Sequence, residues 1–354
     1  MDLNLQQKFN IHEIIKTPLR IHEGLWCGPT GMYWSNLEKS QNLLYLKDLD
    51  RLGSWETMKR YFPQHEKIIF SPKRIGAVAT LEFSDRDVVL DAGCMWGALS
   101  ILMARTKATV VAVDQTQESL KFLARRKEEE NLDNLTLVCA DLKQLELHDK
   151  VFDKIIINGV LEWIPENENV EVNQFHKRVS LGRKLSAIFN RSKDDLLPYE
   201  KQKQWLLNLG AALKDNGTLF LAIENRFDFL YFCGVPEPHC GIRFFAFLPR
   251  WLQNIVSSLL RGRPFRNWTY SRTALRELLE VAGFSQVEVY YAFPGYHFPE
   301  VVLHDAGIHH FQYYAERQEA RRIKRICVRF QEEILCKRWG LTFLAPSFIL
   351  HCKK

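Results

Sequence analysis

The chain has 354 residues, a formal charge of +6 at neutral pH, 46% hydrophobic residues and 25% charged residues. That length suits two domains, or one α/β domain with large insertions, and the composition suits a folded core rather than disorder. Eight cysteines without a C-x-x-C pair or regular spacing exclude a zinc ribbon and a disulfide scaffold, and no metal site is expected. Basic clusters at Lys121–Lys127, His176–Lys193, Arg250–Arg272 and Arg317–Arg329 read as solvated helix faces, with an anionic substrate or surface as the sharper alternative. Met1–Lys16 is polar and lacks the apolar stretch of a secretory signal. No apolar run reaches the roughly 18 residues of a spanning helix. The cytoplasm is the expected compartment.

Met1 to about Phe83, with Trp26, Trp34 and Trp55, is expected to form an N-terminal helical cap ahead of an α/β domain over 84–354. Asp87–Asp91 reads as a strand broken by Gly93, and Ala98–Ala104 as a helix. Thr109–Val113 is a second strand ending at Asp114, followed by a charged helix at Glu118–Asn131. Leu135–Cys139, Phe152–Ile157 and Thr218–Ile223 are the third, fourth and fifth strands. Ser271–Ala282 is a helix stopped by Gly283, Gln286–Tyr291 a strand, and Leu341–Leu350 the closing apolar run. Apolar strands alternating with helices predict a mostly parallel sheet covered on both faces. Insertions at about 165–198, 232–267 and 293–340 break that rhythm. In open α/β sheets a ligand lies at the carboxyl ends of the strands, so the insertions after the fourth and fifth strands are expected to roof the site and choose the substrate.

The first strand runs into the turn Asp91-Ala92-Gly93-Cys94-Met95-Trp96-Gly97-Ala98. A glycine turn lets backbone approach a ligand, and the following helix N-terminus favours polar groups. As a dinucleotide fingerprint the segment fails, because Met95 and Ala98 stand where glycines are needed, and no Walker A loop exists. Asp91 would repel a pyrophosphate but suits a cationic amino-acid moiety. Asp114 ends the second strand about 20 residues on, the place for a carboxylate on a ribose diol. Asp141, beside Leu142, follows the third strand, and Asn158 ends the fourth. A single acid at a strand end is often a helix cap. Four polar ends in succession point to a nucleoside-like ligand.

The patterns L-D-A-G-C-x-W-G-A-L-S, V-V-A-V-D, C-A-D-L and F-D-K-I-I-I-N-G-V-L-E-W-I resemble the successive motifs of class I S-adenosylmethionine methyltransferases. The resemblance implies a Rossmann-like, seven-stranded sheet, mostly parallel with the last strand antiparallel, and S-adenosyl-L-methionine as cofactor. It implies that Asp91, Gly93 and Gly97 hold the methionyl part, Asp114 with Gln115 the ribose, Asp141 with Leu142 the adenine, and that Asn158 closes the pocket. Met95 departs from the family's middle glycine, and a side chain there would crowd the cofactor or force a strained φ unless the loop is re-routed.

A second set, A-I-E-N-R-F, Y-F-C-G-V-P-E-P-H, W-T-Y-S-R and Y-Y-A-F-P-G-Y-H-F-P, resembles a bacterial branch of these enzymes associated with glycosyltransferases of surface-polysaccharide assembly. That resemblance implies a sugar hydroxyl as acceptor. Transfer to an alcohol wants a base. His239, in a proline-braced loop, is the first candidate, with Glu224 beside Asn225 at the end of the fifth strand next. Asn225, Tyr270, Arg272, Tyr296 and His297 are candidate acceptor-site residues, and Trp96 and Trp163 could face a sulfonium, although packing serves each equally well. No N-P-P-Y or Pro-Cys motif is present, and nothing supports a nucleic-acid partner. Ile242–Leu260, flanked by Arg243, Arg250, Arg261 and Arg263, reads as an amphipathic lid against the sheet edge or, more sharply, as a peripheral membrane contact suited to a lipid-linked saccharide. The expected function is O-methylation of a saccharide or related hydroxyl compound. The alternatives are methylation of a peptide, lipid or small natural product, and a non-catalytic cofactor-binding partner of a glycosyltransferase complex.

Overall fold

Runs of Val, Ile and Leu too apolar to face water on either side form the centre of the molecule. The computed structural model describes residues 10–30, 39–166, 197–310 and 322–354. Its strands are β1 (Arg20–His22), β2 (Leu25–Cys27), β3 (Val88–Ala92), β4 (Thr109–Asp114), β5 (Leu135–Cys139), β6 (Phe152–Asn158), β7 (Leu213–Glu224), β8 (Gln286–Phe293), β9 (Val301–His304) and β10 (Ser347–Lys353). They form one sheet in the order β1-β2-β5-β4-β3-β6-β7-β10-β8-β9. The pairs from β2–β5 through β6–β7 are parallel, and β10 lies antiparallel between β7 and β8. Val89, Leu90, Val111, Ile156 and Leu221 are completely buried, as expected of central strands covered on both faces.

Among the described residues the sheet has ten strands where seven were expected. β1 and β2 form a hairpin within the segment expected to be only a helical cap, and β2 joins β5 through Trp26 opposite Val138. β9 extends the other edge by pairing with β8. Strands of three or four residues are too short to show a period of two, so sequence patterning could not find them. That first segment also carries helices, α1 (Lys39–Tyr61), kinked at Gly53, and α2 (Glu66–Phe70).

Two helices flank the nucleotide end of the sheet, α3 (Ala98–Arg105) and α4 (Gln117–Glu129). Tyr45, Leu49, Met58, Phe62 and Ile69 from the N-terminal helices pack with Trp96 and Phe122 into a separate apolar cluster. Trp96 meets Phe122 edge-on at 5.3 Å, so its body is a packing element between α1 and α4. The remaining long helices are α5 (Leu197–Ala212), α6 (Arg250–Arg261), α7 (Arg272–Val281) and α8 (Arg322–Arg329). Of the expected insertions, residues 167–196 and 311–321 lie outside the described residues.

The arginines around α6 do not all ring a lipid-facing surface. Arg250 lies 4.5 Å over the Trp268 ring and donates to Gln253 Oε1 at 3.1 Å, and Arg263 pairs with Glu166 at 3.2 Å. Trp251, Leu259 and Leu260 face outward instead. Among the described residues, no helix is long and apolar enough to cross a membrane.

Gly97 shows why the turn into α3 is written with glycine. Its φ is +73°, and a Cβ there would stand 2.1 Å from Leu123 Cδ1 of α4. Left-handed strain of about 1–2 kcal/mol adds to overpacking of about 1–3 kcal/mol. Gly97→Ala is expected to lower the thermal unfolding midpoint by several degrees, read by circular dichroism; an unchanged midpoint would show that α3 and α4 are not locked together here.

Candidate functional site

A cavity of about 500 Å³ opens at the carboxyl ends of β3, β4, β5, β6 and β7, within the size range of small-molecule sites. Every strand of the parallel core points its last residue at this edge, so the motif residues converge without being neighbours in sequence. Asp91, Gly93, Asp114, Gln115, Asp141, Leu142 and Asn158 all line it. Gly97 does not, so its role is the packing described above rather than backbone approach to a ligand.

Each acidic end is held by its own turn. Asp91 is buried and accepts a 2.5 Å hydrogen bond from Ser100 Oγ of α3. Burial raises its proton affinity, opposed by Ser100 and by the Arg74 charge, and the result is a pKa of about 6. Asp114 accepts from Met95 N and Thr116 N, each at 2.8 Å. Burial likewise pushes Asp114 upward, and these two donors hold it down. Asp141 accepts from Lys143 N at 2.9 Å and Gln144 Nε2 at 3.2 Å. These are the helix-cap contacts that any acid at a strand end could make, yet all three carboxyls also border the cavity.

Met95 keeps the left-handed backbone of a turn glycine, the strained conformation its side chain was expected to force. Its φ is +50°, in the left-handed region where glycine would sit without strain, and its side chain is 46% exposed beside the cavity. Its N–H still reaches Asp114. Gly93, at φ +82°, could not be replaced either, since a Cβ would stand 2.5 Å from Val160.

On the β6 and β7 side of the same cavity lie His239, Glu162, Glu224, Tyr296 and His297. His239 is buried, and its Nδ1 lies 2.6 Å from Glu237 Oε1. Glu237 Oε2 in turn accepts from the backbone N–H groups of His239 and Cys240 at 2.8 Å each. The His239 Nε2 is 3.8 Å from Glu162 Oε1. Trp163 meets the imidazole edge-on at 5.1 Å, so it packs the histidine. Burial opposes the imidazolium, but Glu237, Glu162 and Glu224 outweigh it and hold the proton well above the ordinary histidine range. Tyr296 Oη donates to Glu224 Oε1 at 2.9 Å, and His297 Nε2 is 3.7 Å from the same oxygen. The two buried glutamates are pulled apart. Burial and the Glu224 charge raise Glu162, whereas His297 and His239 overcome burial and keep Glu224 low.

Three expected acceptor residues are elsewhere. Asn225 is fully buried and gives its side-chain amide to Phe343 O and Ala345 O, each at 2.7 Å. Tyr270 bonds Gln202, and Arg272 binds Tyr291 Oη at 2.6 Å and Asp305 at 3.1 Å. None of the three lines the cavity. They tie β7, α7 and the chain before β10 together, a structural use that a polar motif in sequence cannot be told from binding. The sequence reading in turn passed over Glu162, Glu237 and Arg74. Glu237, in P-E-P-H two residues before His239, carried a usable signal; Arg74 arrives from the N-terminal segment, donating to His297 O, and carried none.

The cavity suits a nucleoside-bearing ligand. Gln115 Oε1 and Asn158 Oδ1 are buried, line it, and find no hydrogen-bond partner within the protein. Acceptors in that state are costly unless a ligand supplies donors. An S-adenosylmethionine ammonium, ribose diol and adenine amine are donors of that kind.

Residues 89–180 match the family profile described as a methyltransferase domain. Over 83 residues the chain is 40% identical to the ubiquinone biosynthesis O-methyltransferase of Actinobacillus pleuropneumoniae serotype 5b, covering 22% of this chain and 35% of that protein. Over 96 residues it is 34% identical to the tRNA (guanine-N(7)-)-methyltransferase of Rubrobacter xylanophilus, covering 25% of this chain and 43% of that protein. The chain thus spans well under half the length of these curated relatives. A solved S-adenosylmethionine-dependent methyltransferase from Archaeoglobus fulgidus superposes with a TM-score of 0.43 at 14% identity, over 83% of this chain and all of that one. Residues 89–180 thus resemble a methyltransferase domain, and that stretch carries Asp91, Asp114, Asp141 and Asn158.

Proposed function

We propose that the protein is an O-methyltransferase acting on a small hydroxyl compound, with a saccharide hydroxyl the preferred acceptor class. The observation that carries this reading is a single cavity lined by Asp91 and Asp114 from β3 and β4 and by His239, Glu162 and Glu224 on the β6 and β7 side, with Glu237 holding His239. When bound, S-adenosylmethionine supplies a methyl group already activated as a sulfonium. What the chain must add is alignment of the acceptor and a place for its proton.

Glu237 fixes the imidazole by accepting from Nδ1, and Glu162 stands next to Nε2. The acceptor hydroxyl proton would pass to the Glu162 carboxylate, whose proton affinity is raised by burial and by the Glu224 charge, with the His239 imidazole beside it. Glu224 stays ionised and anchors Tyr296, which with His297 positions the acceptor. Polar side chains of both charge types suit a polyhydroxylated ligand better than an apolar one.

The test is S-adenosylhomocysteine formation by the full chain across saccharide, phenol, amine and tRNA acceptors. Turnover confined to amines or tRNA would reject the hydroxyl assignment.

The pH dependence of cofactor binding is a separate expectation. Asp91 holds its proton with a pKa of about 6 in the free protein and would be ionised beside a cationic methionyl group. Acid therefore competes with the cofactor. Affinity should be flat above pH 6 and fall roughly tenfold per unit below it, with the dependence lost in Asp91→Asn. Calorimetric titrations from pH 5 to 8 measure this, and a flat profile would remove Asp91 from the cofactor site.

A further inference from the structure

The β6 and β7 side of the cavity carries more negative charge than a proton-accepting pair requires. One ligand atom each from Glu162, Glu224 and His239 lie within 4.8 Å of one another. A cation about 2.0–2.2 Å from each of three ligand atoms needs them roughly 3–4.5 Å apart, which a small side-chain adjustment reaches. Acidic clusters alone prove nothing, but two independent observations point to a ligand here. Glu162 is 1% exposed, and Oε2 of Glu162, like Oε2 of Glu224, is buried with no hydrogen-bond partner. The His239 ring is also set as a ligand ring. Its Nδ1 is engaged by Glu237, the arrangement in which a carboxylate orients the ring, and Nε2 coordinates once an incoming cation displaces its proton.

The supporting contacts hold the other donors too. Tyr296 Oη pins Glu224 Oε1, leaving Oε2, and backbone N–H groups pin Glu237. The neighbouring cations are spent elsewhere: Arg74 on His297 O, Lys143 on Glu166 O and Asp141, Arg263 on Glu166.

We infer that Glu162, Glu224 and His239 form a divalent-cation site on the β6 and β7 side of the cavity. Two carboxylates and one imidazole are a mixed hard and borderline set, suited to Mn²⁺ or Mg²⁺ and less demanding than a closed zinc site. The cation would leave coordination positions open toward the cavity, where an acceptor oxygen could bind. That acceptor role rests on the methyltransferase reading; the cation site does not. Sequence spacing gave no hint of it, because the ligands come from three separate places, the turn after β6, the end of β7 and the loop that holds His239.

The experiment is a Mn²⁺ titration of the chelator-treated full chain, followed by electron paramagnetic resonance, with S-adenosylhomocysteine binding measured calorimetrically on the same preparation. Saturable binding of one Mn²⁺ per chain is expected. Glu224→Gln and His239→Gln, each checked for a native circular dichroism spectrum, should weaken it at least tenfold, while Asp91→Asn should leave it intact. If one variant fails to fold, the other decides. Absence of saturable binding, or binding unchanged in a folded ligand variant, overturns the inference. Cofactor binding without Mn²⁺ binding would sink the cation site alone, and Mn²⁺ binding without cofactor binding would sink the functional reading alone.

Discussion

His239→Gln should lower the turnover number by about 10²- to 10⁴-fold while leaving cofactor affinity unchanged. The imidazole is 6% exposed and held by Glu237 at 2.6 Å on one side, with Glu162 at 3.8 Å on the other. It sits against Glu162, which follows β6, two strands along the sheet from Asp114 at the end of β4, so its loss should not reach the nucleoside. Glutamine preserves a donor toward Glu237 but cannot carry the imidazolium charge beside Glu162. Glu162→Gln should fall to a similar level, and the double variant should be little worse than either, because groups that act as a unit do not add. Steady-state kinetics on the best acceptor measures this. Independent, multiplicative losses would mean that the two residues are not one device.

Asp114→Ala should weaken cofactor binding by about 100-fold or more. Two charge-assisted hydrogen bonds to a ribose diol are each worth about 1.5–3 kcal/mol. The carboxylate also accepts from Met95 N and Thr116 N at 2.8 Å, so its removal loosens the turn that carries Met95. Asp114→Asn keeps one acceptor oxygen and should lose about tenfold. Equal affinities for the wild type and Asp114→Ala would place the ribose elsewhere.

The convergence of the strand-end residues on one cavity was legible in the sequence for a physical reason. A parallel sheet puts all its strand carboxyl ends at one edge, so polar residues found there in chain order must converge. Asp91, Asp114, Asp141 and Asn158 obey that rule and border one cavity. The rest of the site depends on loops whose meeting is a tertiary event. Glu162 follows β6 and Glu224 ends β7, yet their burial against His239 is written in no local pattern. Asn225, Tyr270 and Arg272 erred in the opposite direction, since buried hydrogen bonding and ligand binding draw on the same residue types. The strand count missed β1, β2 and β9 because edge strands of three or four residues are fixed by their partners rather than by a period of their own. Gly97, expected to hold the methionyl part, stands where a Cβ would clash with Leu123, a contact visible only once α3 and α4 are side by side.

Isothermal titration of the full chain with S-adenosylmethionine tests the central claim most directly, that the strand-end cavity holds this cofactor. One saturable site is predicted, lost on Asp114→Ala and weakened below pH 6. No binding at millimolar cofactor would contradict it.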